Sequence, residues 1–203
     1  MSPPRGRSGR GGVRLSGGEH GGRVLKSPAD ARPTEGRVRE ALFAIWMHAL
    51  PDATLLDLFA GSGAIALEAL GRGALAALCV EKAPESLAAL ERNIADLGEV
   101  GAVQVRSGEL PGELDRLVEE GRRFDLAFAD PPYRFPDYEI LVAGVAPLLT
   151  PGGELAVEHA VRREMPLEVR PRRGSGPRAG HMVRVDQRRY GESGLSFYRH
   201  GPE

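Results

Sequence analysis

The apolar run Phe124-Asp125-Leu126-Ala127-Phe128-Ala129 leads without a break into Asp130-Pro131-Pro132-Tyr133, and no other junction in the chain concentrates as much chemistry. Each proline fixes its own φ and drives the residue before it out of the helical region, so a buried strand must stop there. What the stop leaves at the strand's carboxyl end is the Asp130 carboxylate, the acceptor-only Pro131 carbonyl and the Tyr133 ring. In an open α/β sheet, that end is where ligands bind. Two acceptors beside a flat apolar face suit a planar group bearing an exocyclic NH2, such as a nucleobase.

A second constellation lies upstream. Thr54-Leu55-Leu56-Asp57-Leu58-Phe59 reads as a strand, Ala60-Gly61-Ser62-Gly63 as a turn, and the run through Ala66 to Leu70 as a helix. Glycines let backbone approach a ligand closely, and a helix start offers unpaired N–H groups. Gly61-x-Gly63-x-x-Ala66 also satisfies the dinucleotide fingerprint, so by itself it leaves NAD-dependent oxidoreduction open. The next apolar strand, Leu75 to Val80, ends in Glu81, whose carboxylate can accept from both hydroxyls of a ribose. Asp57 either hydrogen-bonds the turn as a structural cap or meets a ligand's ammonium group.

Together these segments resemble the amino-methyltransferases that use S-adenosyl-L-methionine (SAM). The likeness is closer to one family. Arg32-Pro33-Thr34, Arg37-Val38-Arg39-Glu40-Ala41-Leu42-Phe43, Leu56 to Ala64, Glu68-Ala69-Leu70, Arg72-Gly73-Ala74 and the closing stretch Arg189 to Tyr198 are similar to the bacterial family that methylates guanine N2 in 16S ribosomal RNA. The resemblance runs from about Val13 to His200. Gly71 stands where that family often has Ser, Lys82 where it often has an acid, and Ser107-Gly108-Glu109 lacks the usual Asn or Asp.

The resemblance implies transfer of a methyl group from SAM to guanine N2, with Asp130, Pro131, Pro132 and Tyr133 as the catalytic motif. It implies a cofactor site built from Arg32, Thr34, Asp57, Phe59, Ala60, Gly61, Ser62, Gly63, Glu81, Lys82, Gly108, Glu109 and Asp130. Thr34 reads more readily as a helix N-cap than as a ligand contact. The expected partner is 16S rRNA or a small ribosomal subunit particle, met by Arg14, Arg23, Arg37, Arg39 and Arg134. For Arg37 and Arg39, simple solvation is an equal alternative. Within the same chemistry, Asp-Pro-Pro-Tyr also serves adenine-N6 methylation, and a non-catalytic RNA-binding or ribosome-assembly role would use only the basic ends.

Those residues need a scaffold. Strands at 54–58, 75–81, 102–106, 124–129 and 153–158 alternate with helices at 63–70, 84–97, 111–120 and 137–149, a rhythm that predicts a parallel sheet covered on both faces. Pro147 predicts an early end or kink in the last helix. Segments around 167–170, 181–190 and 195–199 read as strands closing the sheet, with Gly174-Ser175-Gly176-Pro177 a loop. Ahead of this core, Val13-Arg14-Leu15 and Arg23-Val24-Leu25 read as a hairpin. Val38, Leu42, Ile45, Trp46 and Ala49 make one apolar stripe of a helix starting near Thr34, with Trp46 in the core. The expectation is an α/β fold: one Rossmann-like class I methyltransferase domain over 13–200, with a mostly parallel seven-stranded sheet. Residues 13–50 form its small hairpin-and-helix extension, 51–200 its core, and 1–12 a disordered basic tail.

Composition agrees with a compact enzyme. A chain of 203 residues, 41% hydrophobic, can bury one sizeable core. No apolar run nears the ~20 residues of a membrane span, and the Gly/Arg/Pro-rich start lacks an apolar signal core. Cys79, alone of its kind, excludes an internal disulfide and fits a buried strand, consistent with a reducing cytoplasm. The net charge of −1 conceals basic ends: residues 1–39 carry nine Lys/Arg against three acids, 40–160 eight against twenty, and 161–200 ten against four. Clustered Arg attracts a phosphate backbone. Glu158-His159 resembles a catalytic pair but has no nucleophile motif, so a hydrogen-bonded strand end is the better reading. No Cys/His/Asp spacing matches a metal site. No metal, no membrane and a monomeric state are expected.

Overall fold

The computed structural model describes residues 12–28, 36–132, 134, 135, 137–170 and 181–202. Arg32, Pro33, Thr34, Tyr133, the 1–11 part of the tail and the 174–177 loop lie outside the described residues.

A two-stranded antiparallel hairpin, β1 (Val13–Arg14) and β2 (Val24–Leu25), opens the chain. Val13, Leu15 and Leu25 face the core while Arg14 and Val24 face outward, the alternation expected of a strand with one covered face. Helix α1 (Gly36–Ile45) follows and tightens into a 3₁₀ turn at Trp46–His48. That tightening rotates the stripe. Val38, Leu42 and Trp46 are buried as expected, but Ile45 and Ala49 are exposed, and Phe43 and Leu50 take their place.

The core alternates β3 (Thr54–Leu58), α2 (Ala64–Gly71), β4 (Ala76–Glu81), α3 (Pro84–Leu97), β5 (Val103–Ser107), α4 (Gly112–Glu119), β6 (Phe124–Ala129) and α5 (Tyr138–Val145). Helix α5 stops just short of Pro147, in a 3₁₀ turn at Ala146–Leu148, because proline cannot donate the next hydrogen bond. β7 (Leu149–Ala160) is longer than the 153–158 read from sequence, and β8 (Glu168–Val169), β9 (Met182–Tyr190) and β10 (Ser193–His200) complete the sheet. Its order is β5-β4-β3-β6-β7-β10-β9-β8, parallel from β5 to β7 and antiparallel thereafter. Among the described residues the sheet therefore has eight strands rather than seven: all three segments read as closing strands pair into it, the one around 167–170 as the two-residue edge strand β8.

Helices cover both faces. α1, α2, α3 and the hairpin share one core with Leu55, Cys79 and Phe128, while α4 and α5 share the other with Leu56, Leu58 and Val80. Cys79 is a free, fully buried thiol in the first of these. Chain order reverses at β3: β4 and β5 extend to one side, β6 and β7 to the other. In a doubly wound sheet, that reversal opens a crevice at the strands' carboxyl ends.

Candidate functional site

Strand register decides which side chains meet at that crevice. Leu58 pairs with Val80 on one side and Ala129 on the other, and Ala129 with Val157. The residues one step beyond, Phe59, Glu81, Asp130 and Glu158, therefore occupy one row across the tips of β3, β4, β6 and β7. Adjacent strands lie ~4.8 Å apart, so the Gly61–Gly63 turn and Asp130-Pro131 stand on neighbouring tips. An aromatic contact closes the gap. The Phe59 ring meets Phe135 edge-on at 5.5 Å, and Phe135 meets Tyr138 at 5.7 Å. Phe135 is fixed through its N–H, which donates to the Pro132 carbonyl at 2.7 Å.

The glycine turn is held from several sides. Gly63 N–H donates to the Ala60 carbonyl at 2.8 Å, and Ala60 N–H to Val80 at 3.1 Å. Phe59 adopts a left-handed φ of 62°, rare without glycine and found where surrounding structure imposes it. The two glycines differ. Gly63 (φ 82°) is packed so tightly that a Cβ would sit 2.3 Å from Leu90 Cδ1, whereas a Cβ on Gly61 (φ 56°) would enter open space. Open space beside backbone is what a ligand cradled by a glycine turn requires. Glu81 turns both oxygens to this region: Oε2 accepts from Gly61 N–H at 2.9 Å, and Oε1 from Lys82 and Ala83 N–H at 2.8 Å each.

Asp57 lies beneath the turn, 1% exposed, and accepts from Ala66 N–H at 3.2 Å, a remote cap for the first turn of α2. Burial, partly countered by that bond and reinforced by the charges of Asp130 and Glu81, pushes its carboxyl up to about 8. Three carboxylates thus sense one another at this edge. A cation placed among them is favoured, and the sulfonium and ammonium groups of SAM are cations, so the residues fit that cofactor. At the rim, Gly108 N–H donates to the Glu81 carbonyl at 3.0 Å, and Lys82 pairs with Glu109 at 2.7 Å in solvent. Lys82, Gly108 and Glu109 therefore do line the same edge.

The basic residues divide. Arg14, Arg23, Arg37 and Arg134 are exposed. Arg39 is not, which corrects its reading as an RNA contact. It is 2% exposed, its Nε donates to Glu68 Oε2 at 2.8 Å, and its Nη2 donates to the Arg14 carbonyl. Glu68 is wholly buried and also accepts from Ser16 N–H, Ser16 Oγ and Arg72. The cluster bolts the hairpin to α1 and α2. Burial alone would raise the Glu68 carboxyl, but hydrogen bonds from Ser16, Arg72 and Arg39 together hold it below its ordinary value.

Other candidates resolve into structure. His159 is buried, with Nε2 at 2.9 Å from Ser196 Oγ and Nδ1 at 3.0 Å from the Ala160 carbonyl, and Ser196 is itself 0% exposed, so the pair is a strand-to-strand tie that no substrate reaches. Burial lowers its pKa. Trp46 is a core residue whose Nε1 donates to Glu154 at 2.8 Å. A cavity of about 440 Å³ opens at the amino ends of β3, β6 and β7, away from the crevice. Two of its acids are committed, Glu154 to Trp46 and Arg199, and Asp125 to Thr54 and Thr150. Among the described residues, no group of three or more His, Cys, Asp or Glu could hold a metal, and no helix is long and apolar enough to cross a membrane.

Two residues at the crevice were missed from sequence. Phe135 follows the Asp-Pro-Pro-Tyr motif by two positions, and its aromatic type was the available signal. Asn93 interrupts the buried stripe of α3 between Leu90 and Ile94, and a polar residue on an apolar face is the mark of a committed hydrogen-bonding role.

The family model described as "Conserved hypothetical protein 95" matches residues 13–199. The chain is 40% identical over 129 residues to "Ribosomal RNA small subunit methyltransferase D" of Escherichia coli K12, a stretch covering 63% of each, so it aligns with less than two thirds of that relative. It is 27% identical over 191 residues to "Putative rRNA methyltransferase YlbH" of Bacillus subtilis, covering 92% of this chain and 98% of that one. Among solved structures, "Putative methyltransferase yhhF from Escherichia coli" superposes with a TM-score of 0.76 at 30% identity, covering 94% of this chain and 98% of the other. The motifs, the reversed sheet and the family model agree: the chain belongs to the Conserved hypothetical protein 95 family, and it is similar to proteins named as methyltransferases of small-subunit ribosomal RNA.

Proposed function

We propose that this protein transfers a methyl group from SAM to the exocyclic N2 of a guanine in 16S rRNA. One observation carries the reading: the open-faced Gly61 turn, the Glu81 carboxylate and Asp130-Pro131 stand on three adjacent strand tips, walled by Phe59 and Phe135.

Bound SAM would supply an already electrophilic sulfonium methyl. Glu81 would accept from the ribose hydroxyls, exchanging its bond to Gly61 N–H, while the turn backbone lies along the methionine portion. Glu81 and Asp130 would balance the cofactor's positive charge, while Asp57, which holds its proton, supports the turn from beneath. Guanine N2 is a poor nucleophile because its lone pair is delocalised into the ring. With its N–H bonds accepted by the Asp130 carboxylate and the Pro131 carbonyl, the lone pair is localised and aimed across the crevice. Positioning and fixed acceptors then do most of the work. After methylation, the amine proton passes to Asp130 or to water. Tyr133 is assigned base stacking on the motif alone. Drawing the base out of its helix costs a few kcal/mol, offset by these contacts. Exposed Arg14, Arg23, Arg37 and Arg134 are the proposed phosphate contacts.

The test is incubation of small ribosomal subunit particles lacking their methylations with tritiated SAM, followed by mapping of the labelled nucleotide. Label on guanine N2 is the expected result. Label on adenine N6 would replace the substrate, and absence of label would refute the activity.

A further inference from the structure

Helix α3 presents two residues three positions apart, hence on one face, to the glycine turn. Leu90 fills the space beside Gly63, with its Cδ1 2.3 Å from where a Cβ would stand, so a side chain there must displace it. Asn93, 2% exposed, donates from Nδ2 to the Ser62 carbonyl at 2.9 Å and to the Lys26 carbonyl at 2.9 Å. Its Oδ1 accepts from Lys26 N–H at 2.9 Å. The Ser62–Gly63 peptide is therefore gripped at both ends, its carbonyl by Asn93 and its N–H by the Ala60 carbonyl. Lys26 lies one residue past β2, at the root of the arm that carries Arg14 and Arg23.

We propose that Asn93 is a positioning residue that joins the cofactor turn to the N-terminal arm, so that cofactor and RNA bind with coupled affinities. This rests on the proposed reading of the Gly61–Gly63 turn as the cofactor site and of the arm as an RNA contact. A single planar carboxamide bridges both elements, and neither can shift without breaking its hydrogen bonds. Order imposed on the turn by a ligand is order already present for the arm. By linkage, RNA held by the arm must tighten the cofactor to the same degree. Elsewhere the arm is fastened to surfaces remote from the turn: Ser16 to Glu68, His20 to Glu99 and Lys26 Nζ to Asp96. Only the Asn93 bridge, among the described contacts of the arm, reaches the turn itself.

The experiment measures S-adenosylhomocysteine binding by titration calorimetry, and small-subunit binding with and without saturating S-adenosylhomocysteine. The proteins are the full chain, Asn93→Asp, Asn93→Ala and a control, Asp96→Ala. Asn93→Asp keeps the shape but sets a carboxylate oxygen against two carbonyls, so it tests donation rather than packing. In the native chain, S-adenosylhomocysteine should tighten subunit binding at least fivefold. Both Asn93 variants should weaken S-adenosylhomocysteine about five- to tenfold, with KM for SAM rising more than kcat falls, and should bring the coupling to within twofold of none. Asp96→Ala should retain both. Thermal melting of each variant checks that it is folded; should the Asn93 variants melt below the assay temperature, the native coupling factor decides instead. A native protein without coupling, or a folded Asn93→Asp that keeps it, overturns the inference alone. A native protein that fails to bind S-adenosylhomocysteine overturns the cofactor reading and the inference with it.

Discussion

Replacing Glu68 with alanine isolates the buried ion cluster that fastens the hairpin to the core. The Glu68 side chain is 0% exposed and that of Arg39 3%, so the truncation strands a guanidinium away from water and removes the acceptor of the Ser16 N–H. Arg39 Nη1 already lacks a hydrogen-bond partner among the described residues, which leaves the group little to fall back on. Arg72, 27% exposed, can turn to solvent and loses far less. Removing one partner of a buried pair typically costs about 3–5 kcal/mol. For a chain of this size, each kcal/mol lowers the melting temperature by about 2–4 °C, so Glu68→Ala should melt about 6–20 °C lower. Because the stranded charge is the cause, Glu68→Leu combined with Arg39→Met should recover all but about 2 kcal/mol. Urea and thermal unfolding of the native chain, both singles and the double close the cycle. A single variant within about 1 kcal/mol of native, or strictly additive singles, would refute the argument. The pH dependence has a defined sign. Glu68 has a lowered pKa in the fold, so its contribution is complete above its ordinary value of 4.5 and is lost as the pH falls through the lowered one.

Asp130→Ala should cut methyl transfer by roughly 10²–10³-fold while S-adenosylhomocysteine and RNA affinities change little; transfer within tenfold of native in single-turnover assays would remove Asp130 from its role. Asp57 carries the opposite linkage from Glu68: with a folded pKa of about 8 against 3.8 ordinarily, the fold holds a proton that the unfolded chain releases between those values, so stability falls as pH rises through that window. Asp57→Asn should flatten the fall in urea midpoint between pH 6 and pH 8, and an unchanged slope would show that Asp57 is not its source. The two glycines should separate cofactor binding from stability: Gly61→Ala should weaken S-adenosylhomocysteine with about 1 kcal/mol of backbone strain, whereas Gly63→Ala, blocked by Leu90, should cost about 2–3 kcal/mol in unfolding assays. Deleting residues 1–12, which carry three arginines, should weaken small-subunit binding mainly at low salt; equal affinity of the shortened chain in low-salt filter binding would exclude a role for the tail.

Much of the fold was legible because the central strands β3, β4 and β6 are buried on both faces and helices α3 and α4 are amphipathic, so the two periods separate there. Helix α3 is found where the sequence puts it, opened by Pro84 and closed by Gly98 at φ 80°. β6 ends at Ala129 because the prolines end it. The failures have a common form. The stripe of α1 was extended through Ile45 to Ala49 on a 3.6-residue period, but the helix tightens after Ile45, and a 3₁₀ turn carries the next residues to another azimuth. β7 was read four residues short at its start because Thr150-Pro151-Gly152-Gly153 spells a turn locally. Its early pairing passes through an irregularity, between Phe124 and Leu126 of β6, that period-two alternation does not encode.

Charge was the least legible property, and Arg39 shows why. Arg37 and Arg39 lie two residues apart at the start of one helix, and by residue type alone they are interchangeable. Two residues along a helix is a turn of ~200°, enough to place one in solvent and the other against the core. What then decides the fate of Arg39 is Glu68, 29 positions away, itself buried on a helix whose other side chains up to Ala69 are apolar or absent. A buried acid on such a helix calls for a buried base, and that pairing was the available inference. The same logic reaches Asn93, a lone amide on an apolar stripe. Asp130 was legible for the opposite reason: its neighbours Pro131 and Pro132 act through the backbone, and backbone restriction can be read without knowing what lies across space. Local constraints therefore revealed where the crevice must open. The polar contacts that tie the N-terminal arm to it are long-range pairings, visible only once the sheet has brought α2 and α3 under the hairpin.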